Sequence, residues 1–163
     1  MLIGNRGIEA ASGALASTAW GTANLGIFVP FELPMAYPVK NLFWMNGGVQ
    51  SGNIDVGVYN DDLSRVCSTG SVAAGTIAVL QFAAPTADVV LTPGNYYWGV
   101  SMSSTTGTIF CQTTGTAAHN REMGLFQMAS AGPPLPAAAT ITAAGQARVP
   151  VLGMTYKTGT PTF

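Results

Sequence analysis

Charge is what this chain has least of. Asp, Glu, Lys and Arg make up 8% of its 163 residues, against roughly 25% in an ordinary soluble domain. A free-standing monomer keeps itself in water with a surface of about 25–35% charged residues, and this chain cannot furnish one. Its mean hydropathy of +0.33 points the same way. Either the surface is neutral and rich in Ser and Thr, or neighbouring subunits cover much of it. Apolar surface left in water drives association, which favours the second reading and a homo-oligomer. The cations are scattered as Arg6, Lys40, Arg65, Arg121, Arg148 and Lys157. Nucleic-acid binders gather Lys and Arg on one face, so no nucleic-acid partner is expected.

Long apolar runs are missing too. None reaches the ~18 residues of a spanning helix, and no membrane partner is expected. The N-terminus, "MLIGNRGIEAASGALA", lacks a basic leader, and Gly4, Asn5, Arg6 and Glu9 interrupt any apolar core. A secretory signal is therefore rejected, and the product is expected to be made in the cytoplasm and to keep its start Met. In that setting Cys67 and Cys111 read as free, reduced thiols; a disulfide is open only if the mature particle lives outside the cell.

Catalytic vocabulary is equally thin. The one histidine, His119, is expected in a loop. Neither cysteine stands at ligand spacing from it, and no G-x-S-x-G elbow presents a nucleophile. The carboxylates are Glu9, Glu32, Asp55, Asp61, Asp62, Asp88 and Glu122. A glycosidase needs two of them across a cleft, and the strand residue Asp55 is the only one placed suggestively. Turn chemistry accounts for Asp61, Asp62 and Asp88. Asn60, Asp61 and Asp62 offer the hard oxygens Ca²⁺ prefers, without the spacing of a calcium loop. The expectation is a non-enzyme with no metal and no cofactor.

What is present is punctuation. There are 20 Gly and 10 Pro, and short apolar or alternating runs lie between them. That pattern predicts an all-β protein, a jelly-roll-like antiparallel β-sandwich. Residues 1–24 read as an N-terminal arm with one helical turn at most, and 25–163 as a single domain. Strands are expected over 25–33, with Pro30 marking an edge or a bend, and over 39–45. Further strands are expected over 52–61, 75–82, 88–91, 95–102, 107–112 and 147–157. Asn60-Asp61-Asp62 closes a hairpin onto "SRVCSTG". The Pro/Ala-rich stretch within 117–148 reads as a long surface connection or arm.

In "GNIDVGVYND", alternation places Ile54, Val56 and Val58 on one face and Asp55, Gly57 and Tyr59 on the other. In "LTPGNYYWGV" it places Tyr96, Trp98 and Val100 in the core and Tyr97 and Gly99 outside. Leu91, Pro93, Gly94 and Tyr97 match a tyrosine corner, in which a tyrosine folds back and bonds the upstream backbone where the chain changes sheets. The competing reading makes Tyr97 and Tyr59 a ligand platform, with Gly57 and Gly99 leaving an open patch beside them. Trp44 and Trp20 are further stacking candidates.

The segments "GNIDVGVYNDDLSRVCSTGS" and "LTPGNYYWGVSM" together resemble β-sandwich virion proteins of tailed bacteriophages: head fibres, decoration proteins and tail-tip proteins. The resemblance spans Gly52 to Met102. Secreted prepeptidase C-terminal domains and carbohydrate-binding modules have similar corners. It implies a virion location, contacts with other virion proteins and no catalytic residues. The alternative is a carbohydrate- or receptor-binding module directed at a host-surface glycan.

Overall fold

A computed structural model describes residues 2–4, 15–113, 116–122 and 124–157. In chain order the strands are β1 (Leu2–Gly4), β2 (Leu15–Ala19), β3 (Gly26–Leu33), β4 (Tyr37–Met45), β5 (Asn53–Asn60), β6 (Arg65–Ser68), β7 (Val72–Ala73) and β8 (Leu80–Ala83). They continue as β9 (Val89–Leu91), β10 (Gly94–Met102) and β11 (Thr108–Thr113). The one described helix, α1 (Ala117–Glu122), comes next, and β12 (Phe126–Met128), β13 (Thr142–Ala143), β14 (Arg148–Pro150) and β15 (Leu152–Tyr156) complete the chain. All the pairings are antiparallel.

One sheet runs β13-β12-β3-β10-β5-β6, with β7 also on β5. A second runs β1-β15-β4-β8, with β9 also on β4, and a third runs β14-β11-β2. The alternating residues read from the sequence explain how they pack. Ile27 and Val29 of β3, Val56 and Val58 of β5, and Trp98 and Val100 of β10 turn inward from the first sheet. Leu42 and Trp44 of β4 and Leu152 and Met154 of β15 meet them from the second, in one continuous core. Burial of this apolar area, at roughly 25 cal/mol per Å², is the main favourable term.

Several expectations are corrected. The first 24 residues are not simply an arm: β1 pairs with β15 and β2 with β11. Residues 5–14 lie outside the described residues. A buried arginine fastens this segment. The Arg148 guanidinium donates to the carbonyls of Ala19 and Trp20 and lies 5.3 Å from the Trp20 ring centre. The strand expected over 75–82 pairs only from Leu80. Before it, Asn46 Nδ2 donates to the Thr76 carbonyl at 2.8 Å and Ala78 N–H to the Gly47 carbonyl at 2.9 Å, which holds the chain in a turn. The strand expected over 147–157 is two strands in two sheets, broken at Val151, whose N–H donates to Phe110. His119 lies in α1 rather than a loop. Pro30 sits in a strand that is paired on both sides only up to Phe28, opposite which β12 begins.

Candidate functional site

The turn Thr92–Pro93 carries the chain from β9 in one sheet to β10 in another, so the corner is where the sequence places it. Its tyrosine is Tyr96, not Tyr97. The Tyr96 hydroxyl donates to the Thr92 carbonyl at 2.8 Å, with Thr92 Oγ1 at 3.2 Å. Tyr96 is on the buried face, and its ring stacks on Phe31, which in turn stacks on Trp98 at 4.3 Å. Leu91 just upstream is also buried in the core.

The other stacking candidates are corrected in the same way. Trp20 and Trp44 are buried, and their indole N–H groups donate to the Leu25 carbonyl at 3.1 Å and to Asn46 Oδ1 at 2.7 Å. Tyr59 is fully buried, and its hydroxyl donates to the Pro136 carbonyl at 2.7 Å. Burial pushes its phenol above the ordinary tyrosine range. None of the three offers a free ring face to a ligand.

What covers Tyr59 is the Pro/Ala-rich stretch, which is a strap and not a free connection. Ala131, Leu135 and Ala139 pack with Phe28 and Tyr59 in a second apolar cluster, on the outer face of the seven-stranded sheet. Asp55 holds the strap from below. Its fully buried carboxylate accepts the Leu135 N–H at 2.8 Å, the Thr69 hydroxyl at 3.0 Å and the Ser68 hydroxyl at 3.2 Å. Arg65 adds a donor to the Leu135 carbonyl, and its own N–H donates to the Ala137 carbonyl at 2.8 Å. A buried carboxylate with these donors is a structural anchor, and Asp55 does not face a cleft.

The outer face of the three central strands can be read in rows from the register. Phe28, Gly99 and Gly57 form one row; Pro30, Tyr97 and Tyr59 form the next. The glycine row is not an open patch. A Cβ on Gly99 would meet the Tyr59 ring at 2.8 Å and the Phe28 ring at 3.2 Å, and one on Gly57 would meet the Cys67 carbonyl at 2.9 Å. The glycines leave room for the Phe28 and Tyr59 rings, which meet edge to face at 5.2 Å, and for the strap over them.

Beyond the strap the face opens. Glu32 pairs with Asn95 across β3 and β10, and Asp61 follows β5 at the same end of the sheet. Pro30, Phe31, Glu32, Asp61, Asn95, Tyr96 and Tyr97 line a cleft of about 330 Å³. Tyr97 is half-buried and meets Phe126 edge to face at 6.0 Å, while Glu32, Asn95 and Asp61 are exposed. Tyr97 is thus the one stacking candidate left at a surface cleft. Alternation alone could have grouped Glu32 with Pro30 and Asn95 with Tyr97. Their convergence needs the pairing of β3 with β10 and β5, which is a long-range fact.

Cys67 and Cys111 are both free and buried, and burial pushes each thiol up to about 12. Among the described residues no group of three or more His, Cys, Asp or Glu comes together, and no helix is long and apolar enough to cross a membrane. No protein-family model matches the chain, and no curated protein matches it either.

Proposed function

We propose that this chain is a non-enzymatic structural subunit of a bacteriophage virion. It self-associates and contacts neighbouring virion proteins in a decoration, fibre or tail-tip role, with a jelly-roll-like sandwich as its body. The supporting observation is an uncharged, apolar sheet edge. Between Arg65 and Asp88 the chain has no Asp, Glu, Lys or Arg. This stretch supplies β8, the terminal strand of its sheet. Ile77, Val79, Leu80 and Phe82 are exposed along it, Ile77 and Phe82 at 51% each. Natural edge strands are ordinarily blunted by charge or proline to prevent pairing with another chain. An edge left without either suits one that is covered in an assembly.

The test is the native mass of the untagged chain, by light scattering behind size exclusion. A defined multiple of 16.7 kDa is expected, unchanged in about 1 M NaCl because contacts between neutral surfaces are not screened. Phe82→Glu should lower that mass. A monomer at every concentration would sink the self-association reading. The virion assignment has its own check: an antiserum to the chain should label purified phage particles from the host that carries its gene, and unlabelled particles would refute it.

A further inference from the structure

The geometry points to the Tyr97 cleft as a binding site for a neutral saccharide, a function separate from assembly. Its floor is apolar and its end is polar. The half-buried Tyr97 ring lies beside Pro30 in one row of the sheet, and the next row carries Glu32 and Asn95, with Asp61 in the turn just after β5 also in the lining. Glu32 is on β3 and Asp61 is in the turn that follows β5, and these strands flank β10, so the two carboxylates stand about two strand spacings apart, ~10 Å. That separation leaves room for one sugar ring between them. The C–H face of a pyranose packs on an aromatic or prolyl surface. Its hydroxyls are donors, and carboxylates are strong acceptors for them. The Asn95 amide adds a donor and an acceptor between the two.

The lining also says what the cleft rejects. It contains two carboxylates and no Lys, Arg or His. A sialylated or sulfated glycan, a phosphate or an acidic peptide would meet like charge with no compensating cation. A lysine or arginine side chain is the rival occupant, since carboxylates and a tyrosine ring attract cations. The cleft is open, and two of its three lining aromatics, Phe31 and Tyr96, are stacked on each other rather than arranged as a cage around a cation, so a flat polyhydroxylated ring fits it better.

The experiment uses the full chain in whatever oligomeric form it takes. Binding is measured by isothermal titration against lactose, maltotriose, chitotriose and mannotriose, with sialyllactose and an oligo-arginine peptide as contrasts. At least one neutral sugar should bind, with an affinity that does not change between 0.1 and 1 M NaCl. Glu32→Gln and Asp61→Asn, both at exposed positions, should each weaken it about tenfold or more while leaving the melting temperature and native mass unchanged. Tyr97→Ala should abolish it. Because Tyr97 also packs on Phe126, the two carboxylate variants decide if that variant unfolds. Absence of binding to all four neutral sugars at millimolar concentration would overturn the proposal. So would binding that survives both carboxylate variants, or salt-sensitive binding of the arginine peptide alone. Each of these outcomes leaves the native-mass result standing, so the two readings fail independently.

Discussion

The backbone N–H of Leu135 donates to the Asp55 carboxylate at 2.8 Å, joining residues 80 positions apart in the chain. This bond turns a Pro/Ala-rich stretch into a lid on the sheet. It also explains why an aspartate occupies the middle of an otherwise apolar strand. Without it, the Leu135 N–H of the strap and the Ser68 and Thr69 hydroxyls beside Asp55 would lose their shared acceptor.

Replacing that carboxylate should therefore loosen the strap. Asp55→Asn puts an amide NH₂ among donors and removes an acceptor. A loss of about 1.5–3 kcal/mol is expected, the range for hydrogen bonds to charged groups, read as a lower midpoint in denaturant unfolding. Limited proteolysis should cut within 131–140 sooner than in the parent chain. An unchanged midpoint would show that Asp55 does not anchor the strap.

Gly99→Ala should destabilise by about 1–3 kcal/mol, as overpacking does. The added methyl would come within 2.8 Å of the Tyr59 ring. That ring cannot swing away without breaking its bond to Pro136. If Gly99→Ala melts like the parent in calorimetry, the face is more open than the rows of side chains imply.

The two neighbouring tyrosines should separate cleanly. Tyr96→Phe loses the bond to the Thr92 carbonyl and should cost about 0.5–1.5 kcal/mol. Tyr97→Phe should stay within about 0.5 kcal/mol of the parent, as surface changes do. Equal losses, or the reverse order, in chemical denaturation would contradict the assignment of Tyr96 to the corner.

The buried thiols make an alkaline prediction. Both folded values lie near 12, above the ordinary thiol value near 9. The fold thus holds the protonated form more tightly than the unfolded chain does. Their contribution to stability is complete below about pH 9 and is lost as pH rises toward 12. The midpoint of unfolding should fall across that window, and Cys67→Ser with Cys111→Ser should flatten the fall. At pH 8 the native chain should be inert to a thiol-reactive disulfide, and both cysteines should react once it is unfolded. Rapid native reaction would mean that the core opens readily.

Local patterns carried the fold class. Alternation in β5 and β10 named the inward residues of both strands, because side chains on a strand change face at every residue whatever the strand pairs with. The Pro93-Gly94 turn marked the crossing between sheets for a similarly local reason. Low charge raised the expectation of a covered surface without reference to any fold. What the tertiary structure decided was which polar and aromatic residues meet. Tyr59 and Tyr97 lie on the same face, but only the strap from 131–139 distinguishes the ring it buries from the ring it leaves at a cleft. Trp20 and Trp44 could not be told from exposed platforms until the partners of their indole N–H groups were in place. Arg148 looked like one of several scattered cations and Asp55 like the one suggestively placed carboxylate, and each became an anchor through contacts with distant segments. Contacts between residues far apart in sequence depend on strand order and register, and those are set by the packing of the whole chain.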